Sequence, residues 1–87
     1  SAADLTPAQK RYLGLLAAAA RARQPVRGAA WQGLIFELAK GNGFAPADCF
    51  AALYRVFLDR PNGPRAGWLL ASLAADFVVG RLEEAAK

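Results

Sequence analysis

Three breaks in the hydrophobic pattern constrain this chain more than any other feature. Gln24-Pro25, Gly41-Asn42-Gly43 and Arg60-Pro61-Asn62-Gly63-Pro64 each stop a stretch whose apolar residues recur at helical spacing. Pro61 disfavours helical geometry at Arg60, and the Gly-Asn-Gly run supplies the residues on which helices end. The first segment opens with Thr6-Pro7-Ala8-Gln9: an N-cap, a proline at the first helical position and a capping-box glutamine. It should run to about Arg23, with Leu5, Tyr12, Leu13, Leu16 and Ala20 near one face. A second helix is expected from about Arg27 to Lys40, carrying Trp31, Leu34, Ile35 and Leu38. A third runs from near Pro46 to near Asp59, with Phe50, Leu53, Tyr54, Phe57 and Leu58 spaced i, i+3, i+4, i+7, i+8. The fourth starts at Pro64 with Gly63 as its cap, and carries Trp68, Leu69 and Leu73. A bend around Ala74–Asp76 leads into Phe77–Ala86, with Asp76 as the cap of that last helix.

Composition agrees with an all-α reading. Alanine is abundant while Val, Ile and Thr are scarce, which favours helix over sheet. No segment alternates as a strand does. Eighty-seven residues, 55% of them hydrophobic, make one domain with a core of just adequate size. The expected fold is a small bundle of four to five helices spanning residues 1–87. Its core should include Trp31, Leu34, Ile35, Leu53, Phe57, Leu69, Phe77 and Leu82. Phe36 falls off the stripe of its own helix. It packs on another helix, faces a further domain, or offers a stacking ring.

Several functions are disfavoured by what is missing. The chain has no His, so it lacks an imidazole base and an imidazole metal ligand. The single Cys49 makes neither an internal disulfide nor a cysteine-cluster metal site, and it suits a reducing compartment such as the cytoplasm. The longest clean apolar run, Gly14–Ala20, is too short to cross a bilayer. Carboxylates are scattered without a base partner, so no catalytic residues are expected. No methionine is present, which suggests an excised piece of a longer chain.

The charge is more informative. Eleven basic and seven acidic residues give a net +4, and eight of the eleven are arginine. Arginine offers flat, bidentate donors suited to phosphates and base edges, although a solvated basic surface has the same composition. The turn from Arg60 to Arg65 gathers these features. A helix start exposes unpaired N–H groups, and Ala66 and Gly67 leave room for close approach by a ligand backbone. Arg60 and Arg65 add side-chain charge, making a phosphate or carboxylate cradle. The alternative is a plain helix–helix turn in which Arg65 pairs with a buried acid such as Asp76 or Glu37. Arg55 follows the stripe residue Tyr54 and reaches the surface beside the turn. Trp68, one turn into the new helix, reads as core rather than stacking platform.

The segment FAALYRVFLDRPNGPRAGWLLASLAADFVVGRL, residues 50–82, resembles the C-terminal anticodon-binding region of class I lysyl-tRNA synthetases. The resemblance rests on Tyr54 and Leu58 in the aromatic-rich helix, on Gly63-Pro64-Arg65 and Gly67 in a G-P-R-x-G turn, and on Phe77-Val78 and Arg81-Leu82 in the last helix. Asp59 stands where that family usually has glycine, and Ala74-Ala75 replace a common glycine-containing bend. Over residues 1–43 only the helical layout fits. The related class I glutamyl-tRNA synthetases end in a similar region but often show proline where this chain has Arg65.

The resemblance implies a helix-cage module for the anticodon loop of lysine tRNA, joined to an upstream catalytic domain that uses ATP. This chain has no nucleotide-binding phrase, so no cofactor is expected within it. Unstacked loop bases are read by stacking and by hydrogen bonds to their edges. On physical grounds the contacts expected are Arg55, Arg60, Asn62 and Arg65, with Lys40 and Asn42 from the facing loop as weaker choices. A basic helical protein-interaction bundle is the alternative from a different class.

Overall fold

The computed structural model describes residues 4–87; residues 1–3 of the expected domain lie outside that range. Five helices follow one another: α1 (Pro7–Arg23), α2 (Gly28–Gly41), α3 (Pro46–Leu58), α4 (Ala66–Ala71) and α5 (Ala75–Ala86). No strand is present among the described residues.

Local chemistry explains where α1 and α3 start and stop. The Thr6 hydroxyl accepts from the Gln9 N–H at 3.1 Å, and the Gln9 side chain accepts from the Thr6 N–H at 2.9 Å, closing the capping box. The same glutamine donates to the Asp48 carbonyl at 3.0 Å and so ties the start of α1 to α3. Gln24 ends α1 in the left-handed region at φ 52°. Asp59 ends α3 likewise at φ 53°, in the place where the resembling family carries glycine. Aspartate tolerates this conformation better than most residues. One orphan carbonyl at that end of α3 is satisfied from α5, since Arg81 donates to the Val56 oxygen at 2.9 Å.

Two helix pairs frame the molecule. α1 and α5 run antiparallel, with Gly14 beside Ala86 and Arg21 paired to Glu83 at 2.6 Å. α2 and α4 form the second pair, and α3 touches all four other helices. Tyr12, Leu13, Leu16, Ile35, Leu53, Leu70, Val78 and Leu82 are fully buried between them. Each large apolar side chain so buried contributes about 1.5–3 kcal/mol. Tyr12 also donates its hydroxyl to the Ile35 carbonyl at 2.9 Å, linking α1 to α2 inside the core. Burial pushes the ionisation of this phenol far up.

The stripes of α1 and α2 pack largely as expected. In α3 the buried face is Cys49, Ala52, Leu53 and Val56, whereas Phe50, Tyr54, Phe57 and Leu58 of the expected stripe are only half-buried at its margin. α4 departs further. It begins at Ala66, two residues later than Pro64, with Arg65 as its N-cap. The reason is a bond from outside the helix: the Tyr54 hydroxyl donates to the Pro64 carbonyl at 2.8 Å and holds that residue in the turn. The inward face is Ala66, Gly67 and Leu70, not Trp68 and Leu69. Glycine sets this phase. A Cβ at Gly67 would lie 2.5 Å from both the Gln32 nitrogen and the Gly28 oxygen, and one at Gly28 would lie 2.5 Å from the Trp68 ring. The two helices therefore meet backbone to backbone, and Trp68 is turned outward over Gly28 at 44% exposure.

Two further expectations are corrected. Phe77 is 53% exposed and meets Phe57 edge-on at 6.4 Å, at the margin of the core. Asp76 does not cap α5. Ala74 holds that position and Asp76 sits in the first turn, where its charge favours the helix dipole. Phe36 does pack on another helix, edge-on to Phe50 at 5.1 Å.

Candidate nucleic-acid interface

The turn between α3 and α4 is built on side chains that hold it from beneath. Tyr54 bonds the Pro64 carbonyl, and Gly63 lies against Leu58 and Tyr54. The arginines therefore project from a supported ridge. Arg55 and Arg60 share one flank, where they line a shallow pocket of 220 Å³ with Asp4, Leu5, Gln9, Ala51 and Pro61. Arg55 is partly engaged by Asp59 at 3.0 Å, one helical turn away. That bond and the Arg55 charge hold the Asp59 carboxyl below its ordinary range. Arg60 and Asn62 are exposed, and Arg60 makes no ion pair among the described residues.

Arg65 projects elsewhere. Its guanidinium lies over the Trp68 ring, 4.3 Å from the centroid. It pairs with neither Glu37 nor Asp76: Glu37 is bound by Arg23 at 2.7 Å, and Asp76 lines a different cleft beside Arg21. The start of α4 does not make a backbone cradle either. The Gly67 N–H donates to the Gln32 side chain at 2.7 Å, and Ala66 and Gly67 are buried against α2. The close approach for which Gly67 leaves room is made by α2.

Lys40 and Asn42 do not face this turn. The loop that carries Asn42 precedes α3, whereas the arginine turn follows it, and the 13-residue helix between them is roughly 20 Å long. Asn42 donates to the Leu38 carbonyl at 2.9 Å and so caps its own helix. Lys40 is exposed at that far end. Nearby, Arg11 lies 5.7 Å from the centre of the Phe44 ring.

Two residues beside the turn escape a reading from sequence. Arg27 is exposed at the start of α2, immediately before the glycine on which Trp68 rests. Gln32 holds the α2–α4 crossing together. Nothing local in the sequence marks either, because α4 comes to α2 across more than thirty intervening residues.

Cys49 is a poor nucleophile where it sits. It is 2% exposed, and burial, with the Asp48 charge second, pushes its thiol up to about 11. No helix among the described residues is long and apolar enough to cross a membrane.

Comparison with known proteins follows the same direction as the residues. Over 97% of its length the chain is 31% identical to a lysine–tRNA ligase of Methanosarcina barkeri, covering 19% of that protein. Over 59% of its length it is 51% identical to the lysine–tRNA ligase of Natronomonas pharaonis, covering 9% of it. The corresponding protein of Halobacterium salinarum is 47% identical over 63% of the chain and is covered over 10%. These relatives are archaeal lysine–tRNA ligases. The chain thus spans between a tenth and a fifth, roughly, of the length of the relatives it matches. No family model matches it. No solved structure matches it either.

Proposed function

We propose that this domain is the anticodon-loop-binding module of a class I lysyl-tRNA synthetase. In this reading it positions lysine tRNA for aminoacylation by an upstream, ATP-using catalytic domain. Similarity to lysine–tRNA ligases supports the parent activity and a tRNA partner. The observation that carries the local role is the supported turn, which presents Arg60, Asn62 and Arg65 to solvent, with neither arginine paired to an acid among the described residues. Phosphate contacts from Arg60 position the loop, and side chains around Arg65 read its bases. The glutamyl enzyme is the less favoured parent, because Arg65 occupies the place where that family often has proline and the relatives are lysine enzymes. A protein-interaction role has one observation in its favour. A cleft of 540 Å³ is lined by Ala20, Val26, Trp31, Val79 and Asp76, with Val26 78% exposed at its rim.

Titration of the isolated domain with a lysine anticodon stem-loop tests the proposal. Replacing an anticodon uridine that the domain reads through its base edge is expected to weaken binding by about 1–3 kcal/mol. Affinity should also fall as salt rises, with a log–log slope of about 0.7 for each single-stranded phosphate bound. Equal affinity for lysine and unrelated anticodon loops at moderate salt removes specific reading by this domain and leaves only a basic surface.

A further inference from the structure

We propose that Arg65 and Trp68 together form a stacking platform for one unpaired nucleobase, with Arg27 beside them to neutralise the adjoining phosphate. This inference rests on the RNA-binding reading and assigns it a particular surface. The two tryptophans of the chain are used in opposite ways. Trp31 is 3% exposed in the core, whereas Trp68 is 44% exposed. An indole left half in water costs hydrophobic stabilisation that the inward phase of α4 would otherwise recover. The Gly28–Gly67 crossing holds that orientation, because Trp68 rests on the backbone of Gly28 while Gly67 is locked to Gln32.

Arg65 completes the platform. Its guanidinium lies over the indole at 4.3 Å from the ring centre, and it forms no ion pair among the described residues. Arg21, Arg23 and Arg55, by contrast, are each held by a carboxylate. A guanidinium stacked on an aromatic ring keeps its N–H donors at its edge, where they reach phosphate or base oxygens, and its planar surface is suited to stack with a base. Base stacking on such a surface tolerates any base and needs no hydrogen-bond readout. Arg27 adds a second cation without a carboxylate partner among the described residues, one residue from the glycine under Trp68. The other arginine–aromatic contact among the described residues is a weaker candidate. Arg11 lies 5.7 Å from Phe44, a half-buried ring already engaged edge-on by Tyr12.

The test compares a lysine anticodon stem-loop with the same stem-loop made abasic at single loop positions. The proteins are the unaltered domain and its Arg65→Lys and Arg65→Ala variants. Lysine preserves the charge but lacks the planar surface, and leaves Trp68 and the glycine crossing in place. Arg65→Lys is expected to weaken binding roughly tenfold, nearly as much as Arg65→Ala. The intact loop should quench the emission of the exposed Trp68, and one abasic position should abolish that quenching. Arg65→Lys affinity within about twofold of the unaltered domain, or Trp68 emission unchanged at saturating RNA, overturns the platform even if anticodon discrimination persists. Conversely, quenching and the tenfold weakening by Arg65→Lys, with equal affinity for all anticodons, sustain the platform and remove lysine-specific reading.

Discussion

Replacing Gly67 with alanine lowers the melting temperature of the domain by roughly 15 °C, corresponding to about 3 kcal/mol for a chain of this size. The added methyl has nowhere to go. It would stand 2.5 Å from the Gln32 nitrogen and the Gly28 carbonyl oxygen, both of them backbone atoms of α2, and 2.7 Å from the Gln32 Cβ. A flexible side chain would yield cheaply, but here two helices must separate. Their separation also breaks the 2.7 Å bond from the Gly67 N–H to Gln32 and lifts Trp68 from Gly28. Gly80, where an added Cβ would meet no described atom within 4 Å beyond its chain neighbours and its own helix backbone, is the matched control in α5. There alanine should be neutral or slightly stabilising, because it removes the entropic penalty of a mid-helix glycine. Circular dichroism melts of the two variants check both expectations. A Gly67→Ala variant that melts with the parent would mean that α2 and α4 do not cross through these glycines.

The second large effect separates neighbouring leucines. Leu70→Ala is expected to cost about 3 kcal/mol, because the side chain is 1% exposed and its removal leaves a cavity in the core. Leu69→Ala, at a half-buried position, should cost about 1 kcal/mol. Urea denaturation of the two variants measures the difference directly. The reverse order would place the inward face of α4 one residue earlier, as the bare apolar pattern of Trp68, Leu69 and Leu73 suggests.

That contrast explains which parts of the molecule are legible in its sequence. Helix ends are legible where their causes are local. Thr6 and Gln9 cap each other within one turn, and Gly41-Asn42-Gly43 and Pro61 break the chain wherever they stand. The stripes of α1 and α2 span three or more turns, so one phase fits their apolar residues better than any other. In α3 the large apolar residues Phe50, Tyr54, Phe57 and Leu58 mark a face one residue away from the small Cys49, Ala52 and Val56 that the packing buries. α4 has only six residues, with apolar side chains on every side, and its phase is set by a glycine contact with α2. Trp68 therefore reads as core in the sequence and stands half exposed in the fold. Asp76 reads as a cap because a capping residue type two positions into a helix looks the same in sequence as one at its start.

The candidate site is legible in outline only. Tyr54, Leu58, Gly63, Pro64, Gly67, Arg81 and Leu82 carry the resemblance to the synthetase tail, and each has a structural task. They hold the turn, close the helix crossing, satisfy the end of α3 or fill the core. A motif made of scaffold identifies the fold of a surface without naming the side chains that act on it. Arg65 and Phe77 are the exceptions, since they belong to the motif yet are exposed. Asn42 looks like a loop contact because its bond to Leu38 is invisible until the helix end is built. Arg27 becomes relevant only once α4 has brought Trp68 to its neighbour.

The most direct test of the RNA-binding account is a footprint. An isotope-labelled domain titrated with the lysine anticodon stem-loop should show amide and Arg side-chain shift changes confined to Arg27–Gln32 and Arg60–Trp68, together with the Trp68 indole. The antiparallel face of α1 and α5 around Leu15 and Glu83 should stay unchanged. Shifts centred on that α1–α5 face, or on the cleft beside Val26, with the Arg60–Trp68 turn silent, would contradict the account.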